Sequence, residues 1–208
     1  MELLNRKLCL LIMASLLMLH VQSQTTESMQ KAFKQSYTEE YKSDYATAIT
    51  HLQRVYKEDS YELNLRMGWL FYSDKKYAKS MDYYQKAIDL RKYSIEARLG
   101  YIGVANASNL HEKAYAKYEE ILKIDPYNSI ANYWVGVNYY TIKKYDIAAK
   151  YLELVVNMYP FDYDANHMLG WTYLNLGRSA EAKHLFEIAL LNKPDNSSAK
   201  EGLSKCNK

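Results

Sequence analysis

The residues able to do acid–base, nucleophilic or metal chemistry are few and scattered. The histidines are His20, His51, His111, His167 and His184, and the cysteines are Cys9 and Cys206. A zinc site draws on ligands paired at short spacing, as in His-x-x-x-His, and no two of these histidines stand that way. Cys206 has no base beside it in the sequence to make it a nucleophile, and serine, histidine and aspartate occur without the arrangement of a triad. Gly100 and Gly103 do not make a phosphate-cradling GxGxxG loop. The expectation is therefore a protein that is not an enzyme, with no cofactor and no metal. The chemistry left is recognition by rings: the chain holds 22 Tyr, 3 Trp and 4 Phe, side chains that bury large area and, in Tyr and Trp, keep a polar tip.

Composition narrows the partner. With 49% hydrophobic residues the chain can build a core, so disorder is excluded. Lys+Arg is 27 and Asp+Glu is 24, a net +3, which argues against a nucleic-acid partner; the short basic end KEGLSKCNK is too little to change that. Two cysteines exclude a disulfide framework.

The rings need elements to position them, and the first residues are not among those elements. Arg6 and Lys7 precede Leu8–Leu19, an uncharged run about 18 Å long as a helix, short of a ~30 Å bilayer core. Val21 and Ser23 suit the small-residue positions of a cleavage site. Residues 1–23 are expected to be a signal peptide cut before Gln24, which places the mature chain in the periplasm or outside the cell, with no transmembrane span. The rival expectation is an uncleaved anchor that tethers the chain to the membrane. Cys9 lies near the start of the apolar run, which disfavours a lipidated cysteine. Cleavage leaves Cys206 as the one cysteine, read as a spectator thiol on a frayed tail.

Beyond the leader the sequence repeats every 34 residues. Pro126, Pro160 and Pro194 share one phase. Gly68, Gly136 and Gly170 share another, with Ile102 at the intervening step. Ser80, Ala114, Ala148 and Ala182 form a third series; Tyr84, Tyr118, Leu152 and Phe186 a fourth; Ala87, Ile121, Val155 and Ala189 a fifth. A sixth holds Tyr77, His111, Tyr145 and Ser179, which predicts that His111 packs as the tyrosines do. Proline closes a unit because it cannot continue a helix interior, and Asn128 and Ser129, or Asn196 and Ser197, can cap the helix that follows. Small residues such as Gly136 and Ala148 let two helices approach, with Tyr139 and Leu152 filling the space beside them.

This pattern resembles the tetratricopeptide repeat. Residues 129–162 carry Gly136, Tyr139, Tyr145, Ala148, Leu152 and Pro160 at the family's small, aromatic, aromatic, small, large and proline positions. Residues 163–196 carry Leu169, Gly170, Tyr173, Ala182, Phe186, Ala189 and Pro194. The resemblance spans units at about 29–60, 61–94, 95–128, 129–162 and 163–196, the first degenerate and two residues short, with a cap at 197–208. It implies an all-α, right-handed superhelix (an α-solenoid) of about five helix-turn-helix repeats and a short C-terminal capping helix in one domain, 24–208. Single hairpins bury too little to stand alone, so neighbours must stack.

In this family the first helix of each repeat lines the concave groove. The resemblance therefore implies a partner-binding groove at Leu65, Trp69 and Tyr72; Leu99, Gly103 and Asn106; Tyr133, Val137 and Tyr140; and His167, Trp171 and Leu174. Small Gly103 and Asn106 between larger rings would leave a shallow apolar pocket. Such a surface suits a peptide segment or partner protein held by aromatic anchors. The competing expectations are that these rings pack as ordinary core, or that Trp69 or Trp171 stacks on a carbohydrate. The lysine- and asparagine-rich carboxylate clamp of chaperone-binding members is absent. An adaptor or scaffold of the cell envelope follows, similar to exported proteins of Bacteroidetes-like bacteria. The alternative is a structural subunit of an oligomeric envelope complex, with the groove filled by self-association.

Overall fold

The computed structural model describes residues 26–207; the leader and its cleavage site lie outside them. All described secondary structure is helical. α1 covers 26–41, followed by α2 (Tyr45–Gln53), α3 (Tyr61–Ser73), α4 (Tyr77–Leu90), α5 (Ile95–Ala107) and α6 (His111–Ile124). Then come α7 (Ser129–Thr141), α8 (Tyr145–Met158), α9 (Tyr163–Asn175), α10 (Ser179–Asn192) and α11 (Ser197–Cys206). Odd-numbered helices open a repeat and even-numbered helices close it. The chain forms two compact units, one reaching Gly100 and the other beginning at Tyr101, so the division falls within α5.

From α3 onward, the start of each first helix is set by one side chain per period. Ser60, Ser94, Asn128, Asp162 and Asn196 accept from the backbone N–H three residues on, at 3.3, 3.0, 3.1, 2.8 and 2.9 Å. Each satisfies a donor the helix cannot, worth about 1 kcal/mol. Asn128 and Asn196 are the caps, and Ser129 and Ser197 are already helical. The second helices α6, α8 and α10 end on extended residues: φ is −134° at Asp125, −131° at Tyr159 and −129° at Lys193, each just before a proline. Proline disfavours the helical region for the residue before it. Arg91 takes the same conformation, φ −128°, without a proline after it.

The turn inside each hairpin also recurs. Ser43, Lys75, Asn109, Lys143 and Gly177 all have φ between 57° and 76°. After α7 the Lys143 N–H donates to Tyr140 O and the Lys144 N–H donates to Tyr139 O, both at 2.9 Å, the bonding of a left-handed helix cap. Glycine adopts this conformation without a Cβ clash, yet four of these five positions hold something else. Lys143→Gly is therefore expected to raise stability by about 0.5–1 kcal/mol, read as a higher midpoint in urea unfolding.

Packing follows the phased series. Leu152 is fully buried, and a Cβ on Gly136 would lie 2.8 Å from its Cγ, so glycine is what admits it. Tyr139 is half-buried and stacks on Tyr151 with centroids 5.7 Å apart. Ser80 is buried and its hydroxyl donates to Gly68 O at 2.6 Å. His111 does not pack: it is exposed at the start of α6, with the helix entry leaving its side chain in solvent. In the first repeat α2 has 9 residues against 14 in α4, which is where the unit is short. At the other end α11 buries Ala199 and Gly202, with Leu203 and Cys206 packed at the edge of the same core. Cys206 is thus half-buried at the end of a helix, its Sγ 3.2 Å from Gly202 O, rather than on a frayed tail.

Buried polar residues add a feature that the phased hydrophobic series does not show. Asn64, Asn132 and Asn166 are at most 1% exposed. Each Nδ2 donates to two carbonyls of the turn before its helix: Glu58 and Ser60, Pro126 and Asn128, Pro160 and Asp162, all at 2.7–3.0 Å. Arg98 takes the same phase and donates to Ser94 O at 2.9 Å. These side chains bolt each connecting turn to the helix it leads into.

Candidate functional site

In the first unit the exposed face of α3 meets that of α1. Trp69 is 44% exposed, and Leu65 and Tyr72 are half-buried. Trp69 and Tyr72 rings lie 5.9 Å apart, and Tyr72 lies 6.0 Å from Tyr77. From α1, Tyr37 is 46% exposed and Tyr41 is 90% exposed, and Phe33 lies 6.4 Å from Tyr37. Glu40 joins the two helices. It accepts from the Trp69 indole N–H and from Arg66, whose guanidinium carbon is 4.0 Å from the Tyr37 ring centroid. Burial pushes the Glu40 carboxyl up, but the bonds from Arg66 and Trp69 outweigh it and hold it below the usual range. Beside these residues a cavity of about 680 Å³ is lined by Met29, Phe33, Tyr37, Tyr41 and Glu62.

Phe33, Tyr37, Glu40 and Tyr41 were absent from the groove expected from sequence. They stand 32 residues before Leu65, Trp69, Tyr72 and Ser73, so the shortened first repeat moves them out of the 34-residue phase. Allowing for that deficit would have found them.

In the second unit the expected residues fall in two environments. Gly103 and Asn106 are exposed on α5. A Cβ at Gly103 would meet nothing within 4 Å, so the backbone there borders open space. Burial holds the Tyr118 hydroxyl above its ordinary pKa, and Asn106 pulls the other way. Val137 is half-buried. Tyr140 is half-buried, edge-on to Tyr145 at 5.4 Å, and its oxygen accepts from Asn175 at 3.4 Å. Tyr133 packs against the C-terminal core, edge-on to Trp134 at 5.2 Å.

His167 and Trp171 are drawn inward by the cap. The Trp171 indole N–H lies 3.1 Å from both His167 Nε2 and Ser198 Oγ, and its ring meets Phe186 edge-on at 5.4 Å. His167 Nε2 is 2.9 Å from Ser198 Oγ, and its ring stacks on Tyr163 at 5.4 Å. Burial holds the His167 imidazole below its ordinary pKa, against a smaller opposing pull from Asp164, so the ring is neutral at pH 7. The outer face of Trp171 carries Lys205 at 5.1 Å. Trp69 is therefore the open indole of the expected groove and Trp171 the packed one.

Among the described residues no three His, Cys, Asp or Glu side chains converge as metal ligands, and no helix is long and apolar enough to cross a membrane. The site offers ring faces, hydrogen-bond donors and one bonded carboxylate.

Comparison with known proteins agrees with this geometry. Models of the tetratricopeptide repeat match residues 33–95 and 151–184. No curated protein matches the sequence significantly. Among solved structures, a tetratricopeptide repeat protein from Parabacteroides merdae superposes with a TM-score of 0.71 at 18% identity, covering 86% of this chain and 72% of its own. A crystal structure of MamA protein gives 0.67 at 19% identity, covering 81% and 93%. MamA from Desulfovibrio magneticus RS-1 gives 0.64 at 17% identity, covering 82% and 98%. At these identities the likeness is one of fold, an all-helical solenoid of helical hairpins. The phased caps and turns, the glycine-admitted packing and the two family matches together make this chain a member of the tetratricopeptide-repeat family.

Proposed function

We infer that this chain is an extracytoplasmic interaction module that holds a peptide segment of a partner protein against the first-helix faces of its repeats. The tetratricopeptide fold supports a protein–protein interaction module, and proteins of this fold are in general scaffolds rather than enzymes. The finer reading is carried by one observation: Tyr37, Tyr41 and Trp69 stand exposed on adjoining helices of the first unit, beside an apolar cavity. Exposed rings on a rigid scaffold are the residues that dominate binding energy at interfaces. Glu40 and Arg66 hold each other and two of those rings, so the face is set before a partner arrives and less ordering entropy is lost on binding. The basic and apolar pattern of residues 1–23 supports delivery across a membrane, to the periplasm or beyond. A place for the chain as an adaptor in the cell envelope follows from that address.

The test is capture of partners by the mature chain and by Tyr37→Ala/Trp69→Ala. Loss of two ring anchors is expected to weaken the bound partner by about 100-fold, at roughly 1–2 kcal/mol for each ring. An unchanged set of partners at unchanged affinity would refute the reading. Light scattering on the same samples separates a bound partner from a second copy of the chain.

A further inference from the structure

A second aromatic site lies at the edge of the 129–162 repeat. A cavity of about 400 Å³ opens among Ile130, Tyr133, Trp134, Tyr159, Asp162 and Asp164. Ile130 is 48% exposed, Trp134 45% and Tyr159 53%. Trp134 stacks on Tyr118 at 6.3 Å on one side and meets Tyr133 edge-on. Asp162 uses one oxygen to cap α9, 2.8 Å from Ala165 N, and Asp164 stands in the first turn, 4.0 Å from Lys193. The Tyr133 hydroxyl feels both carboxylates: burial first, then Asp164 and Asp162, push it up to about 12.

The sister repeats say what this place accepts. In the 163–196 repeat the ammonium of Lys193 sits 3.8 Å from the Tyr163 ring centroid. In the 61–94 repeat the guanidinium carbon of Arg91 sits 5.9 Å from the Tyr61 centroid, in a cavity those residues share. Both pairs occupy one phase of the repeat: Tyr61 and Tyr163 at its first position, Arg91 and Lys193 at its thirty-first. In the 129–162 repeat these positions are Ser129 and Tyr159, and in 95–128 they are Ile95 and Asp125. In 129–162 both members of that pair are replaced, the ring by Ser129 and the cation by Tyr159, while Tyr133, Trp134 and Tyr159 supply other rings around the cavity and Asp162 and Asp164 its carboxylates.

We propose that the pocket takes the guanidinium of an arginine carried by the partner segment, stacked on Trp134 or Tyr159 and facing Asp162 and Asp164. A flat, weakly hydrated cation suits ring faces better than an ammonium and pairs with carboxylates through fixed donors. The proposal rests on the reading of the first-helix face as a peptide surface, of which Tyr133 is part, and gives the partner a chemistry: an arginine-bearing segment.

The probe is a glycine–serine pentapeptide with one central arginine, compared with the same peptide carrying neutral citrulline. The readout is the Trp134 indole N–H resonance. The arginine peptide is expected to shift it saturably, and the citrulline peptide to bind at least about tenfold more weakly. Asp162→Asn/Asp164→Asn should lose about tenfold for arginine with its helix content unchanged, because asparagine still caps α9. Lys150→Ala, at an exposed side chain on α8 that is not part of the pocket lining, should leave the response intact. Equal binding of both peptides, no saturable shift at Trp134, or an unchanged affinity in the asparagine variant would each overturn the pocket. If partner capture fails in Tyr37→Ala/Trp69→Ala and survives in the asparagine variant, the groove reading stands and the arginine pocket falls. The converse result keeps the pocket and removes the groove.

Discussion

Phe186→Ala is expected to lower stability by about 3–5 kcal/mol, a large part of what holds a domain of this size folded. Phe186 is fully buried. Its ring is admitted by two glycines: a Cβ on Gly170 would lie 3.0 Å from it, and one on Gly202 only 2.3 Å. Trp171 meets it edge-on at 5.4 Å and His167 at 6.3 Å. The ring thus fills the joint of α9, α10 and α11, and the glycines that face it have no side chain to take its place. In a solenoid each repeat is held mainly by its neighbours, so the cavity also loosens the docking of α11 and the bonds from His167 and Trp171 to Ser198. Urea unfolding followed by tryptophan fluorescence measures the loss. A change below about 1 kcal/mol would mean that the joint collapses around the gap.

Asn166→Ala is expected to cost about 1–3 kcal/mol, and Asn166→Asp more at neutral pH. The Asn166 amide nitrogen donates to Pro160 O at 3.0 Å and Asp162 O at 2.7 Å, and the residue is fully buried. Asp162 O keeps its helical bond from Asn166 N–H at 3.2 Å, so the alanine penalty falls chiefly on Pro160 O. Aspartate changes the sign of the interaction. An ionised carboxylate offers acceptors only, set against two carbonyl oxygens in a buried place. The buried acid therefore has a raised pKa in the folded state. Stability of the aspartate variant should fall as pH rises from about 4 through that value and recover on acidification, when its proton can serve as a donor. The alanine variant should lack that dependence. Equal stability of asparagine and aspartate at pH 7 would contradict the bolt described for this side chain.

The fold was legible because each repeat states its demands locally. Pro126, Pro160 and Pro194 mark the connecting turns, Gly68, Gly136 and Gly170 the close approaches, and the large residues Tyr84, Leu152 and Phe186 the space those glycines open. All are short-range requirements, so spacing alone exposes them. The exposed ring face was harder to read because the first helices are apolar on most sides. On α9, Tyr163, Leu169 and Tyr173 are buried, while His167, Trp171 and Leu174 are half-buried on another side. Periodicity does not separate a ring that packs on the next helix from one left open. Trp69 and Trp171 share a phase, and what distinguishes them is the side chains gathered at Trp171, namely His167, Ser198 and Lys205, where the positions in the same phase for Trp69 are Leu65, Glu96 and Gly103. The asparagine bolts were missed for another reason: Asn reads as surface or cap until its burial is known.

The central claim is that a partner lies along the exposed rings of the first unit. Site-specific photocrosslinking tests it most directly, with the reactive group placed at Trp69, at Tyr37 and at Lys150, an exposed position on the second helix α8. The account predicts adducts to one partner protein from positions 69 and 37 and none from 150. Adducts from 150 alone, or equally from all three, would contradict it.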